Sequence, residues 1–301
     1  MSKTLLITGA TGKQGGSVIS NLLKQDADVE ILAVTRDVTS ASAQKLASKS
    51  PKIKLVQGDL DQAEDIFTSA RKVTDSRIWG VFSVQVASLS GNRFIEERQG
   101  KSLVDISLKN NVSHFIYTSV DRGNEASLDN PTTISHFISK HNIEHHLINS
   151  TKNTSMSWTI LRPVAFIDAL APGFIGKAFA TSWKVALRGR PLQVIAVSDI
   201  GFFGARAFLN PEEYKGRGIS LAGDELSFED MARIFKSKTG TDVPVTFDFV
   251  ARFLMWMVAD FGAMFRWFHD EGYKADIQAL RKVHPGLKDF RLWLEEESVW
   301  E

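Results

Sequence analysis

Six β-rich apolar runs, TLLIT, VEILAVT, IKLVQ, WGVFSV, HFIYTSV and WTILRP, punctuate the first half of the chain, with apolar residues at helical spacing between them. Val18, Ile19, Leu22 and Leu23 form one helical stripe, and Leu103, Val104, Ile106 and Leu108 contribute to another. The strand runs are continuously apolar instead of alternating, the pattern of strands covered on both faces. Regular alternation of strand and helix then predicts an α/β fold, a doubly wound parallel sheet with right-handed crossovers. At 301 residues, with 43% hydrophobic and 24% charged content, the chain has room for one large domain or a domain with an annex. No repeat at solenoid spacing and no low-complexity linker divides it.

After Pro163 the rhythm changes. RPVAFIDALAPGFIGKAF is punctuated by Gly and Pro, RPLQVIAVSDIG reads as a late strand feeding a helix, and ISLAGDELSFEDMARIF reads as strand, turn and helix. Ser227 and Asp230 stand at capping-box spacing before Met231 and Ile234, which marks the start of that helix. The expected division is a sheet domain over residues 1–162 and a smaller, discontinuous α/β region over residues 163–301. A strand and helix near residues 192–209 are expected to return to the sheet domain. The smaller region should fold over the carboxyl edge of the sheet, where such sheets bind their ligands.

FVARFLMWMVADFGAMFRWF, residues 249–268, is long enough to cross a bilayer, but Arg252, Asp260 and Arg266 interrupt it, each costly at bilayer depth. It reads as a largely buried amphipathic helix or helix pair, with a monotopic surface helix as the alternative. No membrane span is expected. A net charge of +1 without a basic run gives no field for polyanions, so no direct nucleic-acid contact is expected. The chain has no cysteine, which excludes disulfides, thiolate zinc sites and thiol nucleophiles and suits a reducing compartment. With no leader or lipidation box in view, the expected location is cytoplasmic, with a nuclear one also open.

Straight after the first strand the chain reads GATGKQGGSV, with Gly9, Gly12 and Gly15 at GxxGxxG spacing ahead of a helix. Glycines there permit a tight turn and a close approach of phosphate or helix to backbone, and the helix N-terminus offers unpaired N–H groups to a pyrophosphate. The spacing alone also suits a plain strand-to-helix turn; the position, opening a βαβ series, favours a dinucleotide. The second strand ends in AVTRD, about twenty residues beyond the loop, where the choice between nicotinamide dinucleotides is made. Arg36 can pair bidentately with a 2′-phosphate, which points to NADP(H); the alternative is a solvated Arg36 with Asp37 on a ribose hydroxyl. Lys13 can add positive charge near the same phosphate or lie on the surface.

The GATGKQGGSV loop, QGDLDQ at 57–62, HFIYTSVDRG at 114–123, HFISKHNIEHHL at 136–147 and WTILRPVAFIDAL at 158–170 together resemble the NmrA-like family of atypical short-chain dehydrogenases. The resemblance continues through ISLAGDELSFEDMARI to DFRLWLEEE and covers nearly the whole chain. It implies a Rossmann-type domain and a small C-terminal domain with NADP(H) between them. By position it assigns the loop, including Thr11, Lys13 and Gln14, to the pyrophosphate, Arg36 to the 2′-phosphate, and Asp59 with Leu60 to the adenine. Ser83, Val84 and Gln85 would border the ribose and nicotinamide half, and Lys140, Pro163 and Phe166 complete the cofactor set. Asp59 could alternatively cap the next helix, and Ser83 could be a buried strand hydroxyl.

Typical short-chain dehydrogenases carry a Tyr and a Lys four residues apart as their proton-transfer pair. Here the corresponding positions are His136 and Lys140, on one helix face, and the tyrosine is missing. Ser119 falls near where those enzymes orient substrate. The related isoflavone and phenylcoumaran benzylic ether reductases also lack the tyrosine and are thought to use the helix lysine, which Lys140 resembles. Lys140, His136 and Ser119 are therefore the candidate catalytic residues, with a ribose-binding Lys140 and an inert His136 as the alternatives. His141, His145 and His146 lack a matching carboxylate or third ligand and read as solvent-facing histidines, not a metal site. The large apolar groups Phe166, Phe174, Phe179, Trp183, Trp256, Phe265, Trp267 and Phe268 should be mostly core; any that line the cleft would suit a flat hydrophobic molecule.

Two functions follow from these readings. One is an NADPH-dependent reductase of a small hydrophobic carbonyl, imine, quinone or conjugated alkene. The other is a non-catalytic NADP(H) redox sensor that regulates transcription through a protein partner.

Overall fold

The computed structural model describes residues 2–86 and 93–300, the side chain of Arg93 excepted. Strands in chain order are β1 (Lys3–Ile7), β2 (Val29–Thr35), β3 (Ile53–Gln57), β4 (Ile78–Ser83), β5 (His114–Thr118), β6 (Ser157–Pro163), β7 (Ala165–Phe166), β8 (Leu192–Ile195), β9 (Arg217–Leu221) and β10 (Asp224–Leu226). The helices are α1 (Lys13–Lys24), α2 (Ala41–Ala47), α3 (Ala63–Ala70), α4 (Arg93–Lys109), α5 (Ser135–Thr151), α6 (Phe174–Leu187), α7 (Val197–Leu209), α8 (Pro211–Tyr214), α9 (Phe228–Thr239), α10 (Asp248–Met257), α11 (Ala259–Asp270), α12 (Ile277–Val283) and α13 (Phe290–Glu296).

Seven strands form one parallel sheet in the order β3-β2-β1-β4-β5-β6-β9. The continuous apolar runs follow from its two covered faces. In β1, Leu5 and Ile7 enter one core with Val18, Ile19 and Leu22 of α1, while Leu6 between them enters the other with Leu103 and Val104 of α4. Successive strand side chains point to opposite faces, so every position must be apolar when both are buried. The chain leaves β1 for β2 on one side and reaches β4 on the other, so the strand order reverses between β1 and β4. That reversal opens the crevice at the carboxyl ends where ligands of doubly wound sheets bind.

The late region is laid out differently from the expected return of a strand and helix near 192–209. The helix α7 packs along α1, but β8 does not enter the large sheet; it pairs with β7 and β10 in a separate three-stranded sheet. The strand that extends the large sheet is β9, beside β6. Close approach of α7 to α1 depends on glycine: a Cβ on Gly201 would collide with Ser17 Oγ and stand 2.5 Å from that residue's carbonyl carbon. Asn21 Nδ2 and Ser17 Oγ both donate to the Ser198 carbonyl across the same contact. The helix over Phe228–Thr239 starts as its sequence predicts, with the Ser227 hydroxyl accepting from the Asp230 amide and donating to its carboxylate.

Residues 249–268 do fold as a helix pair, α10 and α11, but only part of it is buried. Phe265, Trp267 and Phe268 of α11 are core, whereas α10 buries Ala251 and turns Phe249, Phe253, Trp256 and Met257 to solvent, Trp256 with 77% of its surface exposed. These positions fall at helical spacing on one face, and Phe253 and Trp256 are in ring contact. Phe247 stacks on Phe249 at the start of the same stripe. Of the remaining aromatic residues expected in the core, Phe179 and Trp183 are buried and Phe174 is exposed. No helix among the described residues is long and apolar enough to cross a membrane.

Candidate active site

The glycine loop sits in the crevice between β1 and β4. Gly9 has φ +58°, a left-handed conformation that favours glycine, and a Cβ there would stand 2.7 Å from Val84 Cγ1. Gly15 lies so close to the end of β1 that a Cβ would meet the Thr8 and Gly9 carbonyl oxygens at 2.5 Å. The Thr8 hydroxyl ties the loop to β4, donating to the Phe82 carbonyl at 3.0 Å and accepting from the Val84 amide at 2.9 Å. Helix α1 begins at Lys13 with Gly12 as its N-cap and no side-chain cap. The first-turn amides of Lys13, Gln14 and Gly15 therefore have no intrahelical acceptor, and the positive end of the helix faces the crevice. Gln14 Oε1 accepts from the Thr118 hydroxyl at 2.7 Å, and Lys13 Nζ reaches the Asp168 carbonyl at 3.3 Å. Lys13 thus links the loop to the segment after β7.

At the tip of β2, Arg36 is exposed, and its guanidinium makes no hydrogen bond or ion pair among the described residues. Asp37 is otherwise engaged: its carboxylate accepts from the Thr39 amide and hydroxyl, which hold it below the ordinary carboxylate range. Asp59, exposed at the end of β3, accepts from the Asp61 amide at 2.9 Å and so caps the short 3-10 turn Leu60–Gln62; Leu60 is half-buried beside it. Ser83 is fully buried and its hydroxyl accepts from Gln85 Nε2 at 2.9 Å. Gln85 Oε1 is buried with no hydrogen-bond partner among the described residues, an acceptor that a bound donor would satisfy. Pro163 is buried at the end of β6, and Phe166 is half-buried in β7.

Helix α5 carries both HFISK candidates, and each is held by a carboxylate. Lys140 Nζ lies 2.7 Å from Oε1 of Glu96 on α4, and the Glu96 side chain is completely buried. Among the described residues neither Glu96 oxygen has a hydrogen bond of good geometry, so the contact with Lys140 is an ion pair by proximity. His136 Nδ1 lies 2.9 Å from Asp260 Oδ2, and Asp260 also accepts from the amides of His136 and Ser135. Burial lowers the His136 pKa, with Asp260 opposing.

Ser119, expected to orient substrate, has its hydroxyl engaged within the protein. Its hydroxyl is buried and donates to Glu144 Oε1, and Arg122 Nη1 donates to it at 3.3 Å. Glu144 is the centre of a buried charge cluster: Arg162 Nη2 donates to it at 2.7 Å and Arg122 Nη2 lies at 3.0 Å. Gly218 of β9 leaves room for this cluster, since a Cβ there would stand 2.6 Å from Arg162 Nη1. Ser119 is thus part of the packing between β5, β6 and α5, and only His136 and Lys140 of the three candidates share a face.

A family model described as NmrA-like matches residues 1–292. The chain belongs to the NmrA-like family. An NmrA-like family domain-containing oxidoreductase of Aspergillus hancockii is 26% identical over 257 residues, covering 79% of this chain and 73% of that one. Triphenylmethane reductase of Citrobacter sp., solved in complex with NADP(H), superposes with a TM-score of 0.73 at 17% identity and covers 98% of this chain and 99% of its own. NmrA, a negative transcriptional regulator solved with NAD, gives 0.69 at 17% identity, with coverage of 99% and 95%. These structures share the Rossmann-type fold of this chain.

Several residues that build the site in this NmrA-like chain were not legible as such. Asp260 registers in sequence only as a charge interrupting an apolar segment, yet it caps α5. Asp121 accepts from the Gly123, Asn124 and Lys274 amides and from the Ser127 and Ser220 hydroxyls, pinning the loop after β5 to β9 and to the segment before α12. A signal was available for Arg162: a charge inside a strand buried on both faces requires a partner. The histidines of α5 are less solvent-facing than expected. His141 and His145 are half-buried and both bond the Leu128 carbonyl, at 3.0 and 2.8 Å, and His146 pairs with Asp105.

Proposed function

We propose that this NmrA-like chain is an NADP(H)-dependent oxidoreductase that transfers hydride from NADPH to a small hydrophobic carbonyl, imine, quinone or conjugated alkene. The observation that carries the cofactor choice is Arg36, a guanidinium at the β2 tip without a partner among the described residues, while Asp37 is occupied by Thr39. The residues present fit a dinucleotide. The first-turn amides of α1 would hold the pyrophosphate, Arg36 the 2′-phosphate, and Asp59 with Leu60 the adenine. Ser83, Val84 and Gln85 would border the nicotinamide half, with Gln85 Oε1 as the waiting acceptor. When bound, NADPH supplies the hydride. Lys140, fixed by Glu96, would bind the ribose or deliver a proton to the acceptor. The oxidoreductase designation of the Aspergillus relative and the NADP(H) complex of the Citrobacter reductase support this reading.

The exposed aromatic face of α10 favours a second reading, a redox sensor that passes the state of its dinucleotide to a protein partner. The test is NADPH oxidation against a panel of carbonyls, quinones, imines and conjugated alkenes. Turnover by the wild type and a loss of roughly a hundredfold or more in Lys140→Ala, with folding checked by its melting curve, is the expected result. No turnover, together with a partner captured in only one redox state, sinks the enzyme and leaves the sensor.

A further inference from the structure

We propose that Asp260 is a positioning residue for proton transfer, holding His136 so that its Nε2 exchanges the proton that accompanies hydride transfer. The inference rests on the reductase reading above. His136 lies one helical turn before Lys140, where the typical dehydrogenase has its tyrosine. Asp260 comes from α11, 124 residues away in sequence, and is itself buried. A carboxylate only accepts, so Nδ1 carries the ring hydrogen and, in the neutral ring, the lone pair is on Nε2. Among the described residues the ring's hydrogen bond is made by Nδ1, to Asp260, and none by Nε2. The ring is also fixed edge-on against Phe137 at 4.8 Å, and Phe137 packs on Trp267 of α11 at 5.6 Å. The same carboxylate accepts from the Ser135 and His136 amides at 3.0 and 3.2 Å, so helix start, ring tautomer and the seating of α11 depend on one side chain.

In the reduction of a carbonyl, its carbon gains hydride, with both electrons, from NADPH, which leaves as NADP+. The oxygen takes the Nε2 proton of the His136 imidazolium, the ring is left neutral, and solvent reprotonates it. Alcohol oxidation runs the same proton to Nε2. The charged groups acting on the ring are Asp260 from α11, Lys140 from α5 itself and Glu96 from α4. Burial lowers the His136 pKa and Lys140 adds to the lowering, while Asp260 and Glu96 oppose it. Carbonyl reduction should therefore decline as pH rises through that lowered value.

The test follows the imidazole nitrogens by NMR and the pH profile of turnover in wild type, Asp260→Asn and Asp260→Glu. Expected are the Nδ1–H tautomer in wild type and, in Asp260→Asn, a His136 titration and high-pH limb of carbonyl reduction moved down by about one pH unit or more, since the opposite charge is gone. Asp260→Glu should restore part of the shift. An Nε2–H tautomer in wild type, an unmoved limb in Asp260→Asn, or full turnover in His136→Asn overturns the proposal and leaves the reductase standing. Absence of wild-type turnover overturns both. Should Asp260→Asn fail to fold, the wild-type tautomer and the His136→Asn rate still decide.

Discussion

Replacing Glu144 with Ala should cost about 3–5 kcal/mol of stability, read as a lower urea midpoint or melting temperature. The carboxylate lies between Arg162 and Arg122, all three buried, and it also accepts from Ser119. Its removal leaves two buried guanidinium groups without the carboxylate they share. The remaining partners do not replace the charge, because among the described residues Arg122 otherwise donates to Ser119 and to the Val120, Ser127 and Asn130 carbonyls, all uncharged. The cluster also sets a pH dependence. Burial alone would raise the Glu144 pKa, but the two guanidinium groups and the Ser119 hydroxyl outweigh it and hold the pKa below the ordinary glutamate range. A carboxyl depressed in the folded state adds stability above its unfolded pKa and loses it as pH falls through the folded one. Wild type should therefore lose stability below about pH 4, and Glu144→Ala should lack that part of the acid dependence. An acid-unfolding profile unchanged by the substitution would show that Glu144 is not the charge holding this end of the sheet together.

Arg36→Ala should weaken NADPH binding by roughly ten- to a hundredfold while leaving NADH nearly unchanged. Hydrogen bonds to a charged group contribute about 1.5–3 kcal/mol, and each 1.4 kcal/mol is tenfold in affinity. Arg36 is exposed and makes no side-chain bond among the described residues, so its loss should not disturb the fold. The discrimination arises from the 2′-phosphate alone, and an equal loss for both dinucleotides would place Arg36 outside that site. The effect should also shrink as salt rises, because an exposed cation is screened.

The sheet was legible because its rule is local: continuous apolar runs separated by helical stripes specify strands buried on both faces. The glycine loop was legible for the same reason, since Gly9 and Gly15 answer to backbone geometry within a few residues. What could not be read were contacts closed over long distances. The strand β8 has the composition of a core strand, and nothing local says whether it joins the large sheet or pairs with β7 and β10. Ser119 sits at a motif position, but its hydroxyl is claimed by Glu144, 25 residues later, once α5 packs on β5. Asp260 looked like a penalty in an apolar segment and is a cap for a helix 124 residues away. The aromatic stripe of α10 misled in the other direction, because helical spacing of Phe249, Phe253 and Trp256 marks one face of a helix without saying whether that face meets core or water.

NADP(H) should bind this chain in its glycine-loop crevice. Calorimetric titration of the wild-type protein with NADPH and with NADH tests it most directly. Saturable binding of NADPH at one site per chain, tighter than NADH by the factor that Arg36→Ala abolishes, is the predicted result; binding of neither dinucleotide, or equal affinity for both, would contradict it.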